Sequence, residues 1–192
     1  MIHTYFNELC RAWKNMDKAL VEKLIEQIYA AYEGGHRVFM YGNGGSAALA
    51  SHFCEDLGKG TLSDVGEERR IKAVSLTDNL PYLTAWANDE AYDQVFEQQL
   101  ANLCEEGDVS IAISGSGNSP NVLRATVYAE AHGLVTVGMT GYDGGKLGKM
   151  VGLNVHVPSF NMGIVESIHG IIVHHVVAQL KEHMERRKGK TS

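Results

Sequence analysis

The 192-residue chain has little cysteine: Cys10, Cys54 and Cys104 are all it contains. Their number is odd, they stand far apart and no C-x-x-C occurs, which argues against a disulfide framework or a thiolate zinc site. No run of about 18 apolar residues and no N-terminal apolar h-region is present, so the expectation is a soluble, cytoplasmic protein with no membrane partner. Basic charge is scarce: 17 Lys and Arg against 23 Asp and Glu leave a net charge of −6. That argues against a broad basic face for nucleic acid, but not against a small anion held by backbone N–H groups. The single basic patch is C-terminal, Lys181, Arg186, Arg187, Lys188 and Lys190 against Glu182 and Glu185, and reads as a solvated helix end with a short tail. Proline is rare as well, at 3 residues beside 21 glycines. The glycines lack the three-residue period of collagen, and apolar runs flank their clusters, so a flexible Gly/Ser linker is excluded too.

Apolar residues make up 44% and charged residues 21%, the balance of a folded domain with a proper core. The glycine share is about 11% against roughly 7% in average proteins. Its placement is uneven: none falls in residues 1–33 or between Glu67 and Glu106, while Gly42-Asn43-Gly44-Gly45 and Ser114-Gly115-Ser116-Gly117 concentrate them.

Leu9, Trp13, Met16, Leu20, Leu24, Ile28 and Tyr32 are spaced by three or four, which predicts one long amphipathic helix ended by Gly34-Gly35. Strands are expected over 37–41, 72–76, 109–113, 134–139 and 153–157. Helices are expected from 46 to about 57, from Pro81 toward 87, over 91–104, from Pro120 behind a Ser119 cap to Gly133, and over 162–186. Short apolar strands alternating with helices imply an α/β fold: a five-stranded parallel sheet covered on both faces, a flavodoxin-like three-layer sandwich with a long N-terminal helix. The expected organisation is one domain over 1–186, whose residues 1–35 form an oligomerisation helix, and a basic tail over 187–192.

In such sheets ligands lie beyond the carboxyl ends of the strands, where the order of strands reverses. Both glycine clusters fall at such ends. In the 114–119 loop, small residues let backbone amides converge, the helix start adds partial positive charge, and Ser114, Ser116 and Ser119 add hydroxyls, a combination suited to phosphate. It is neither a P-loop nor a G-x-G-x-x-G signature. The same glycines would equally serve a tight turn. Gly42-Asn43-Gly44-Gly45-Ser46 is a second loop of this kind.

His52 and Asp56 are four apart and share a helix face. Glu166 and His174 are eight apart, about 80° off alignment at roughly 100° per residue. Two imidazoles and two carboxylates suit a divalent metal such as zinc, and a carboxylate–imidazole pair suits proton transfer beside a carbonyl. His169 and His175 compete with His174, and spacing does not choose among them.

These residues, with His52-Phe53 and the acid at 56, Asn88-Asp89 and Gly141-Tyr142-Asp143-Gly144-Gly145, resemble a sugar isomerase (SIS) domain, and within it the phosphoheptose isomerases. The resemblance implies a homotetramer with active sites across subunit contacts and an aldose–ketose isomerisation of a seven-carbon sugar phosphate. It implies that Ser114, Gly115, Ser116 and Ser119 hold the phosphate. Asn43, Gly44, Gly45, Ser46, Asn88, Asp89 and Glu166 would contact the substrate. His52, Asp56, Glu166 and His174 would hold a divalent metal, zinc in the first instance, and Asp56 and His174 would carry the proton. The chain departs from the family pattern at Asp56 (a glutamate there), Glu166 (a glutamine), Gly163 (an aspartate), Gly60 (an arginine, with Lys59 adjacent here) and Gly115 (a threonine). A non-catalytic SIS adaptor that binds a replication initiator is the alternative. The stretch from Thr77-Asp78-Asn79 through Ala87-Asn88-Asp89 and the 141–145 run resemble it as well, but it lacks the acid and histidine found here at 56 and 174.

Overall fold

The computed structural model describes residues 2–66 and 69–191; the side chains of 188–191, with Lys188 and Lys190 of the expected tail, lie outside the described ones. The chain starts with two helices where the apolar spacing predicts one: α1 (Ile2–Asn15) and α2 (Ala19–Gly34). The break has a local cause. Asp17 Oδ1 accepts the Ala19 N–H at 3.0 Å, the bond of an aspartate at a helix start, and so competes with helical continuation. The three-to-four spacing survives the break because Met16 is itself buried.

The remaining order is β1 (Arg37–Gly42), α3 (Gly45–Glu55), a π turn (Asp56–Gly60), β2 (Lys72–Ser75), α4 (Leu80–Asp89), a 3-10 turn (Tyr92–Gln94), α5 (Glu97–Leu103), β3 (Val109–Ser114), α6 (Pro120–Ala131), β4 (Val135–Thr140), α7 (Leu147–Met150), β5 (Leu153–His156) and α8 (Met162–Thr191). Thus the helix expected over 91–104 is two pieces, α7 was not foreseen, and α8 continues past the Arg186 at which it was expected to end.

All five strands are parallel in the order β2-β1-β3-β4-β5, the flavodoxin-like order. Alternate residues of β1 face opposite layers. Val38 and Met40 join the core under α1, α2, α3 and α8, whereas Phe39 and Tyr41 join the core under α5, α6 and α7. Both faces of the central strands are therefore dry, and β1, β3 and β4 are buried along nearly their whole length, whereas the edge strands β2 and β5 are only partly so. Strands β1 and β3 are neighbours whose connections leave in opposite directions, and Gly42 pairs with Ile113 at their carboxyl ends. The two glycine loops start there, side by side.

Helix α8 is long and apolar enough over Met162–Arg187 to cross a membrane by composition alone. Its apolar side chains are committed elsewhere: Ile164, Val165, Ile168, Ile172, Val173 and Val176 are buried in the core.

Candidate active site

The 114–119 loop is held from behind by the 141–145 turn. Gly141 N–H donates to Gly115 O, Leu147 N–H to Gly117 O and Lys146 N–H to Asn118 Oδ1, at 2.9–3.2 Å. Gly117 has φ +64°, and a Cβ there would stand 2.1 Å from Gly144 O. The loop thus turns through a conformation and a gap that only glycine fits. Its front is left open: among the described residues no acceptor takes the amides of Gly115, Ser116 or Ser119, and Ser119, at the head of α6, makes no side-chain cap bond.

Asn43 leaves the opposite strand and is fixed by a reciprocal amide pair with buried Asn121, both bonds 2.9 Å, while the Tyr92 hydroxyl donates to its Oδ1 at 2.8 Å. Asn43, Ser46, Ser114, Gly115, Ser116, Ser119, Met162 and Glu166 enclose a cavity of about 110 Å³. Ser46 and Glu166 also line a second one of about 240 Å³, together with Gly45, Leu49, His52 and His169. Joined at these two residues, the cavities approach the roughly 300–1,000 Å³ of small-molecule sites.

Beyond His52 stands a charged trio. His52 Nε2 and His174 Nδ1 lie 3.4 and 3.5 Å from the same oxygen, Asp56 Oδ2, and the rings meet edge-on with centroids 5.0 Å apart. Asp56 is placed where α3 widens into its π turn, a device common at functional positions. The donor atoms all lie within 4.8 Å of one another. A tetrahedral cation with bonds of about 2.0–2.1 Å to such ligands sets neighbouring donors about 3.3 Å apart, so these residues fit one with little movement.

Glu166 is outside that trio. Its carboxylate fills the space where a Gly45 side chain would project, 2.6 Å from the Cβ position, and forms the wall between the two cavities. Gly44, before the first turn of α3, makes φ +55°. Asn88 and Asp89 bond each other at 2.7 Å at the end of α4, and Asp89 faces a separate hollow with Ala85, Trp86 and Glu90. Of the expected substrate contacts, these two are not brought to the loops. Gly60 faces Val177 and Asp56, and Gly163 faces the Tyr5 hydroxyl, which reaches Ser167 Oγ at 3.0 Å. Asn121, Tyr92 and Met162 stand at these loops and cavities without any signal in the spacing, whereas His169, a competitor of His174 in the sequence, lines the larger cavity instead of joining the trio.

The trio is open to solvent: the His52 and His174 side chains retain 50% and 62% of their exposure, Asp56 only 21%. The cysteines are unpaired, and burial raises the Cys54 and Cys104 thiol pKa values, which disfavours thiolate chemistry.

Comparison with known proteins adds names to this geometry. The SIS domain family matches residues 4–141. A probable phosphoheptose isomerase of Thermoplasma acidophilum is 35% identical over 178 residues, 93% of this chain and 96% of that one. The phosphoheptose isomerase of Geobacter metallireducens is 41% identical over 156 residues, 81% and 80% of the two chains. Among solved structures, the phosphoheptose isomerase of Neisseria gonorrhoeae superposes with a TM-score of 0.86 at 29% identity, over 94% of this chain and 97% of that one.

Proposed function

This chain belongs to the SIS domain family, and from that premise we propose that it is a phosphoheptose isomerase, converting sedoheptulose 7-phosphate to the aldose D-glycero-D-manno-heptose 7-phosphate. The observation that carries the reading is the continuity of the site: an anion-ready loop, a polar cavity and a carboxylate–imidazole pair follow one another past Ser46 and Glu166.

The phosphate rests on the amides of Gly115, Ser116 and Ser119 and the serine hydroxyls, at the positive end of α6. That anchorage fixes the sugar chain along the cavity and presents C1 and C2 to the trio, which makes proton transfer effectively intramolecular. Asp56 takes a proton from C1 of the ketose while the C2 carbonyl oxygen gains one, His174 serving as the acid; the product is a 1,2-enediol. The O1 hydroxyl then returns a proton to His174 as the carbonyl re-forms at C1, and C2 receives a proton from Asp56, which exchanges with water while the enediol stands. No atoms are gained or lost. Asn43, held by Asn121 and Tyr92, offers amide contacts to the sugar, and Glu166 closes the wall beside it. Asn88 and Asp89 act only if α4 of a neighbouring subunit reaches this mouth.

His52, Asp56 and His174 would hold a divalent cation, zinc by their two-imidazole, one-carboxylate chemistry, and a bound cation supplies electrostatic stabilisation to the oxyanion. The assembly on this reading is a homotetramer of the cytoplasm, with subunit contacts covering the open side of the trio. The exposed Ile2 and Phe6 of α1 and Ile171 of α8 support such contacts. Light scattering should return four times the 21.0 kDa chain mass.

The test is turnover of C5–C7 ketose phosphates followed by NMR in deuterated water, with metal content measured on the same sample. Sedoheptulose 7-phosphate is expected to isomerise with deuterium entering at C2, and Asp56→Asn or His174→Gln to slow it by about 10²–10⁴-fold. Retention of full turnover in the double variant would sink the mechanism.

A further inference from the structure

A histidine that the mechanism does not use stands on the wall of the same site. His169 follows Glu166 by three residues on α8, so the two share a helix face. It is 1% exposed, and it lines the larger cavity with Gly45, Ser46, His52 and Glu166. Its Nε2 lies 3.2 Å from the backbone carbonyl oxygen of Thr140, at the end of β4. A carbonyl oxygen only accepts, so Nε2 must carry the ring proton. Nδ1 is then left with a lone pair. Among the described residues no group donates to Nδ1. Burial holds the ring pKa down to about 4, so the imidazole stays neutral and its tautomer stays fixed.

The side chains around it set what can bind there. Glu166 offers acceptors, His52 faces Asp56, and Leu49 is apolar. Nδ1 is not a fully enclosed atom, so it keeps access to the cavity, and a ligand there meets an acceptor that no described protein group fills. The ligand group that donates to a neutral imidazole nitrogen, and that a sugar carries in number, is a hydroxyl.

We propose that His169 is a substrate-binding residue whose Nδ1 accepts a hydrogen bond from a hydroxyl of the bound sugar, next to the carbons that react. The proposal rests on the isomerase reading of the site and adds a source of specificity to it. The 114–119 loop reads the phosphate, and His169 reads the hydroxyl pattern near the other end. Acceptance from a hydroxyl also sets the rotation of that carbon against Asp56. Thr140 acts behind it as the positioning group.

Two substitutions separate this role from a purely structural one. His169→Gln keeps an N–H able to reach Thr140 and loses the acceptor at Nδ1. His169→Asn places an oxygen near the Nδ1 position and loses the bond to Thr140. The measurements are kcat/KM on sedoheptulose 7-phosphate, calorimetric Kd for that sugar phosphate and for inorganic phosphate, and melting temperature. His169→Gln is expected to weaken sugar-phosphate binding and kcat/KM about tenfold or more, with phosphate binding and melting temperature unchanged. His169→Asn is expected to melt lower yet keep more activity than His169→Gln. Sugar-phosphate binding by His169→Gln within twofold of the unaltered protein overturns the proposal, as does an Asn variant less active than the Gln variant. If the unaltered protein neither binds nor isomerises a C5–C7 ketose phosphate, the functional reading itself fails, and that outcome is distinct from the other two.

Discussion

Replacing Gly117 with alanine tests whether the 114–119 loop is a built anion site or a turn of convenience. Alanine at φ +64° leaves the right-handed region, at a cost of about 1–2 kcal/mol. The added Cβ would also stand 2.1 Å from Gly144 O and 2.8 Å from its carbonyl carbon, both backbone atoms that cannot rotate away. Ordinary contact requires roughly another 1 Å, so one loop must move, and overpacking of this kind costs about 1–3 kcal/mol more. The sum is about 2–5 kcal/mol, or roughly 4–20 °C in a chain of this size. Gly35→Ala is the reference, because Gly35 has a similar φ of +73° and nothing within 4 Å of its Cβ position. It should lose only the conformational part, about 1–2 kcal/mol, with unaltered kinetics. The assay pairs calorimetric melting with steady-state kinetics. The expected result is that Gly117→Ala melts lower than Gly35→Ala and that its KM for the sugar phosphate rises at least tenfold, since the movement displaces the amides of Gly115 and Ser116. Equal melting of the two variants, or an unchanged KM in Gly117→Ala, would refute the reasoning that the turn behind the loop sets its shape.

Two further predictions concern polar groups around the site. Asn43→Ala leaves Asn121, 2% exposed, without its reciprocal partner; it should lower stability by about 1–3 kcal/mol in urea unfolding, and a loss below about 0.5 kcal/mol would contradict the pairing as an energetic unit. The second is acid sensitivity. Burial lowers the His169 pKa from 6.5 to about 4, with help from the nearby His156, so the unfolded chain binds the proton first as pH falls. Stability should decline from about pH 6.5 down to about pH 4, by an amount on the order of 3 kcal/mol, and be unaffected by this group above that window. His156, also lowered by burial, adds in the same direction. His52 and Glu166 share the cavity with His169. The decline should be shallower in His169→Gln; identical pH profiles would remove His169 from the cause.

Much of the architecture was legible because parallel strands covered on both faces are mainly apolar, clearest in β1, β3 and β4, and because glycine and serine punctuate their ends. The elements misread share a physical reason. Apolar spacing runs unbroken across residues 13–20, so only the single aspartate at 17 marked the division of α1 from α2. Val95 and Phe96 are buried between the 3-10 turn and α5, which made a bend look like a helix face. Within the site, the two loops were readable from their composition as strand-end turns, and their adjacency in space came only with the β1–β3 pairing. The 80° offset between Glu166 and His174 also had meaning: the first faces the cavities and the second faces Asp56. What could not be read were contacts between distant stretches. Asn43 and Asn121 lie 78 residues apart, and the choice of His174 for the trio and His169 for the cavity was made by how α8 lies against α3.

The break at residues 16–18 reaches further than helix counting. By turning the chain, it lays α1 across the head of α8, where the Tyr5 hydroxyl meets Ser167 and Glu8 approaches Asn161, one residue before Met162 of the phosphate-side cavity. The leading segment therefore braces the start of α8 beside the phosphate-side cavity, while its Ile2 and Phe6 stay exposed. Whoever shortens or decorates that segment to aid purification should expect the kinetic constants to respond before the melting curve does.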